Sequence, residues 1–200
     1  KANIRATTVE RIPTIEPAHP LWPELRLRYL RLACVSTAFA PLWESVYEDG
    51  FRTDEWTTTD DRVTVGLGDV ERDWTPTTPL RRAVDRRQAA LEIDALTAVA
   101  LGITAEELPT VYRTQFPVLA GYDRNVYYFD AQGRLVPNAV LSVWRQRGDL
   151  SSDERTVRHP GSRVAYEYQL PFAARDRESD LRAAHGAFRQ LLARRRSNSL

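Results

Sequence analysis

The chain has no methionine, one cysteine and one lysine among its 200 residues. Each shortage excludes something. A lone Cys34 rules out an internal disulfide framework and a cysteine-rich zinc site. It lies in an apolar helical stretch, which predicts a buried, inert thiol. The three histidines, His19, His159 and His185, lack metal-ligand spacing. No apolar run approaches membrane length and no secretory signal is visible. The expectation is therefore a cytoplasmic chain with no membrane partner. A sequence that opens on Lys1 and lacks methionine is expected to be a piece of a longer polypeptide. There is no glycine-rich phosphate loop, and Gly66-Leu67-Gly68 is too short a match to one. Gly-x-Ser-x-Gly, Asn-Pro-Pro-Tyr and Phe-x-Gly-x-Gly motifs are all missing. Asp60-Asp61 and Asp69-Val70-Glu71 are the nearest thing to a carboxylate cluster, and a solvated loop explains them better.

What is present is arginine. Lys1 is the single lysine, so 27 of the 28 basic residues are arginine, set against 27 acidic residues for a net charge of +1. The chain is no polycation, and arginine richness of this kind also follows from coding bias. Arginine nevertheless suits bidentate contacts to phosphate or carboxylate. With 42% hydrophobic residues the chain can build a real core, as one sizeable domain or two small ones.

The best-organised stretch runs from Thr78 to Pro117. Thr78 and Pro79 predict the start of a helix lasting to about Leu101. Ala89, Ile93, Leu96 and Ala100 share one of its faces. Gly102 supplies its C-cap. Thr104 and Glu107 form a capping-box pattern for a second helix, to about Gln115, with Pro109 in its first turns. A link this short predicts that the two helices pack together.

Around this pair the chain divides into three parts. Residues 1–50 read as an extended arm or short strand followed by a helical unit. In that unit Leu25, Tyr29, Leu32 and Ser36 form one stripe, widened by Leu27, Leu30 and Cys34. Pro41 then starts or kinks a second helix with Leu42, Trp43, Val46 and Tyr47. Residues 51–78 read as an irregular connection with a short strand at 62–65, packed through Trp56 and Trp74 or else functional. Residues 79–200 add a hairpin around Asp130–Gly133, a strand or helix at 140–144, and a polar loop at 148–153. A strand pair then crosses Pro160-Gly161, and a last helix over 176–196 carries Leu181, Ala184, His185, Phe188 and Leu192, ahead of a frayed tail. The predicted class is α+β and predominantly helical, with a small antiparallel sheet in the C-terminal half.

Arg81, Arg82, Arg86 and Arg87 crowd the start of the central helix. They suit phosphate contact or a solvated face, and their charge opposes the helix dipole, so an acceptor would help them. Arg113, Gln115 and Arg124 alternate with Tyr112, Phe116 and Tyr122. Such interleaving stacks bases or packs a helix against a sheet. The last 50 residues hold ten arginines against six acidic side chains, densest at Arg194, Arg195 and Arg196. These ten residues, from Arg81 to Arg196, are the candidate DNA contacts.

The segment ALEIDALTAVALGITAEELPTVYRTQFPVLAGYDRNVYYFDAQGRLV resembles the C-terminal region of large adenine-specific DNA methyltransferases. These belong to bacterial restriction-modification and phage-defence systems (Eco57I-like, BREX- and DISARM-associated). The pieces that carry the resemblance are EIDAL at 92–96, LGIT-x-EEL at 101–108, YRTQFPVL at 112–119 and the YYFDAQGRLV hairpin. The resemblance implies a parent enzyme that binds S-adenosylmethionine and methylates adenine N6, using an Asn/Asp-Pro-Pro-Tyr/Phe motif to hold the flipped base. That motif is not in this sequence, so no catalytic, cofactor or metal residue is expected here. The implied role is a non-catalytic region that holds duplex DNA or contacts the parent's other domains and defence-system subunits. The competing readings are a pure protein-docking module and a small independent metal-dependent nuclease.

Overall fold

The computed structural model describes residues 14–198, so the predicted N-terminal arm lies largely outside the described residues. The class is as the pattern predicts, α+β and predominantly helical. In chain order the elements are α1 (Trp22–Ala33), α2 (Ala40–Val46), α3 (Ala83–Ala100), α4 (Glu107–Gln115), α5 (Pro117–Asn125), β1 (Tyr128–Phe129), α6 (Asn138–Arg147), α7 (Ser152–Arg155), β2 (Thr156–Arg158), β3 (Ala165–Glu167), β4 (Ala173–Ala174) and α8 (Arg177–Ser197). The strands make two antiparallel pairs, β1 with β4 and β2 with β3.

Helix α8 organises the fold. Asp176 caps it, accepting from the N–H groups of Glu178 and Ser179. Its five buried residues, Leu181, Ala184, His185, Phe188 and Leu192, are the predicted set. With Leu91, Ala95 and Leu96 of α3, Leu108 and Tyr112 of α4 and Ala120 of α5, the apolar members of this face form the main core. Helices α3 and α4 both pack on α8 more than on each other, which corrects the predicted helix pair. The geometry of their link is as predicted. Gly102, at φ +76°, donates to Val99 O at 3.3 Å and Ile103 N–H to Ala98 O at 2.9 Å, a Schellman closure. Glu107 accepts from Thr104 N–H and Oγ1 at 2.8 Å and returns its own N–H to Thr104 Oγ1 at 3.2 Å.

Helix α3 starts at Ala83, four residues later than expected. Thr78 is not its cap. Its hydroxyl accepts from Thr75 N–H at 2.9 Å and its carbonyl from Arg31 Nε at 3.0 Å. Leu80, buried, donates its N–H to Arg31 O at 2.9 Å and ties this segment to the end of α1. The Gly133 carbonyl then takes the Val84 N–H at 3.2 Å. Gly133 sits at φ +74°, and a Cβ there would meet Val84 Cγ1 at 2.4 Å, so both conformation and space call for glycine.

The inward face of α1 is also corrected. Leu27, Leu30 and Cys34 are buried, whereas Tyr29 is 60% exposed. Arg28 and Arg31 share the buried face. Leu27, Leu30, Cys34, Trp43, Tyr47 and Phe51 build a second core with Leu67 and Val70. The 51–78 connection has no strand at 62–65 and packs through its indoles. Trp56 Nε1 donates to Val65 O at 2.8 Å and Trp74 Nε1 to Cys34 O at 2.9 Å. Burial pushes the Cys34 thiol pKa up, away from reactive thiolate.

A third, smaller core joins Val136, Val140, Leu141, Leu150 and Phe172. The 140–144 stretch is part of helix α6, and the predicted loop at 148–153 holds through Ser151, which with Glu154 forms the capping box that opens α7 at Ser152. Phe129 bridges to Leu135 across the 130–133 turn, but β1 takes β4 as its ladder partner. Arg194, Arg195 and Arg196 lie within α8 and not in a frayed tail.

Candidate functional site

The arginines of the central helix are consumed by the fold. Arg86 donates to Leu32 O at 3.2 Å and Leu80 O at 3.1 Å. Arg82 donates to Arg62 O at 2.7 Å and also reaches Thr64 and Gln132. Arg87 pairs with Asp180 at 2.7 Å, its side chain 7% exposed. Burial draws the Arg87 pKa down. The acceptors that offset the helix dipole are thus the protein's own carbonyls and one carboxylate. Arg81 stays exposed, with one long contact to Pro76 O at 3.3 Å.

A deeper polar knot lies beside them. Arg28, fully buried, donates Nε to Glu92 at 2.6 Å and Nη1 to Asp54 at 2.7 Å, with its guanidinium carbon 5.0 Å from the Phe188 ring centroid. Glu92 also accepts from Thr57 N–H at 2.8 Å, Thr57 Oγ1 at 2.7 Å and Gln88 Nε2 at 2.8 Å. Every partner is structural, and Glu92 itself is fully buried.

Another set of arginines faces a cleft beside the start of α8. A cleft of about 680 Å³ opens between α4, α5, β4 and this helix, in the size range of ligand sites. Arg113, Arg124, Arg175 and Arg177 line it, against Asp123, Asp176 and Glu178. Of the ten predicted contacts, this cleft brings together Arg113 and Arg124. Gln115 is exposed near the end of α4. Arg194 and Arg196 are exposed near the far end of α8, about 25 Å along the helix at 1.5 Å per residue. Arg195 closes back on Glu24 at 2.8 Å.

Inside the cleft, Asp123 accepts from Tyr112 Oη at 2.9 Å and from Arg177 Nε at 2.6 Å. Burial and the hydrogen bond to Asp123 push the Tyr112 phenol up to about 12, so it is a donor and no base at neutral pH. Arg113 pairs with Glu178 at 2.6 Å. Arg175 is tied to Asp180 at 2.9 Å and to Asp60. Burial works against the Asp60 carboxylate, yet hydrogen bonds from Arg62 and the charge of Arg175 hold it at about 2. Arg124 spends only Nε, on Ala120 O at 3.2 Å, which leaves its two terminal nitrogens for an anion. The arrangement can hold a phosphate or carboxylate. Its hydrogen bonds link donors to carboxylates and assemble no nucleophile with a base.

Arg175 and Arg177 were not legible as site residues. They flank Asp176, and the sequence signal there is that of a helix cap. The pairing of Arg177 with Asp123, 54 residues away, and of Arg175 with Asp60 exists only in the folded chain. Asp60 and Asp69 do not converge on a common ion, since Asp69 accepts from Gly66 N–H at 2.9 Å. Among the described residues no group of three His, Cys, Asp or Glu side chains is placed to hold a metal ion. No helix among them is long and apolar enough to cross a membrane. No family model, curated protein or solved structure matches the chain.

Proposed function

We propose that this chain is a non-catalytic region of a larger, cytoplasmic adenine-specific DNA methyltransferase of a restriction-modification or antiviral-defence system. It supplies architecture and a grip on duplex DNA. S-adenosylmethionine and methyl transfer belong to the parent's remaining domains. The observation that carries the DNA contact is the arginine-lined cleft at the start of α8, where Arg124 keeps both terminal guanidinium nitrogens unspent beside Arg113. Arginine forks match phosphate geometry and fix the orientation of a duplex without reading its sequence. Arg81, Gln115, Arg194 and Arg196 are exposed and extend the surface.

The test is affinity for a labelled duplex across a salt series. The logarithm of the association constant should fall linearly with the logarithm of salt. Arg113→Ala with Arg124→Ala should lower the slope by about 1.8, or roughly 0.9 per phosphate contact. An unchanged slope in that double variant would remove the cleft from the interface.

One observation favours a second reading, docking to the parent's own domains or a partner subunit. Val111, Phe116, Val118 and Tyr122 are 40%, 55%, 67% and 47% exposed on α4, α5 and the residue between them. Val111 and Phe116 line an apolar groove of about 370 Å³. Phe116→Asp should abolish association with the remaining polypeptide if that reading holds, and leave the salt slope untouched.

A further inference from the structure

The β2–β3 hairpin packs mainly against the short helix α7 that leads into it. Its register pairs Thr156 with Glu167, Val157 with Tyr166 and Arg158 with Ala165. From Thr156 to Tyr166 only Val157 is withdrawn from solvent, and it rests on the small C-terminal core. Side chains alternate across a strand, so the face opposite Val157 carries Thr156 and Arg158 outward. Residues 156–166 contain Arg158, His159 and Arg163 and no carboxylate.

The base of this ribbon is tied down and its tip is shaped. Tyr168 N–H donates to Arg155 O at 2.9 Å, Arg155 Nη1 to Tyr168 O at 2.9 Å, and Arg155 pairs with Glu167 at 2.9 Å. At the tip, Arg163 N–H closes on His159 O at 2.8 Å and Ser162 N–H on His159 Nδ1 at 3.2 Å. Arg158 Nη1 donates to Arg163 O at 3.0 Å, which holds the Arg158 guanidinium at the tip. Arg163 takes φ +57°, a conformation a non-glycine residue rarely holds without local support. A tip so tied has little conformational freedom left to lose on binding.

We propose that this hairpin is a duplex-DNA contact, a β-ribbon that enters a groove and sets Arg158 and Arg163 on the flanking phosphates. The inference rests on the DNA-contact reading above and adds a site distinct from the cleft. Shape supports it. Three residues per strand reach about 10 Å at about 3.3 Å per residue, against a major groove about 8.5 Å deep and wide enough for two strands. Charge supports it too, since the hairpin's one carboxylate, Glu167, is paired with Arg155 at the base and leaves the tip arginines to attract phosphate.

The test uses the whole chain and a labelled duplex over a salt series, with Arg158→Ala and Arg163→Asn. Asparagine is chosen because it tolerates positive φ where alanine does not. The double variant should lower the salt slope by about 1.8, with an unchanged melting temperature, and Arg158→Lys should keep the slope of the native chain. Duplex binding with an unchanged slope in the double variant would overturn the ribbon contact and leave the cleft reading standing. Failure of the native chain to bind any duplex would overturn both. A photo-crosslinker at Val164 that captures a second copy of the chain and not the duplex would also overturn the ribbon contact.

Discussion

Two regions of this molecule use arginine in opposite ways. Around α1 and α3 the guanidiniums of Arg28, Arg31 and Arg87 point inward. Arg28 and Arg31 are fully buried, and Arg87 nearly so. Between residues 156 and 166 the guanidiniums point outward with no carboxylate beside them. One residue type thus serves as internal mortar in the first region and as external surface in the second. Arginine richness alone therefore says nothing about where a polyanion would sit. What decides it is whether carbonyls and carboxylates reach the guanidinium first. Arg31 makes the point. Its fork takes the carbonyls of Thr78, Gly66 and Leu67 at 3.0, 2.6 and 2.7 Å, and burial draws its pKa down to about 10, still charged at neutral pH.

The comparison breaks most violently at Glu92. Glu92→Leu removes one of the two carboxylates that hold the buried Arg28 charge and should cost about 3–5 kcal/mol, read by urea denaturation. Adding Arg28→Met should recover only part of that loss, because it removes the buried cation but leaves Asp54 without its partner. Leu141→Ala probes the other region. It should cost about 2–4 kcal/mol, and amide exchange should accelerate first around the small core at 136–172 while α3 and α8 stay protected. A milder effect comes from acid. The folded-state pKa of Asp60 lies at about 2, below its ordinary value. Its contribution to stability is therefore present above pH ~4 and is lost as the pH falls towards ~2. Asp60→Asn should flatten that part of the melting-temperature profile. The smallest change is expected from Arg113→Ala. Its half-exposed pair with Glu178 is worth under about 1 kcal/mol, so the melting temperature should barely move.

Legibility followed the range of the interactions. The inward face of α8, the Gly102 closure and the Thr104–Glu107 box were readable because each is written within a few residues. The β2–β3 pair was readable from its turn residues. The inward face of α1 was not. Its Arg28 finds Glu92 and Asp54 at separations of 64 and 26 residues, so charged positions that look solvated are interior. The start of α3 was misplaced for the same reason, since Thr78 and Leu80 are claimed by Arg31. Of the candidate contacts, Arg82, Arg86, Arg87 and Arg195 are engaged internally, while Arg113 and Arg124 share the cleft. No local signal separates these groups, because the acceptors that divide them arrive from other elements.

The most direct measurement compares two paired variants, Arg86→Ala with Arg87→Ala and Arg113→Ala with Arg124→Ala, by duplex affinity across salt and by thermal melting. The inward pair should lower the melting temperature and leave the salt slope of the remaining folded protein intact. The cleft pair should lower the slope by about 1.8 and leave melting almost unchanged. A slope that falls with the inward pair and not with the cleft pair would contradict the account.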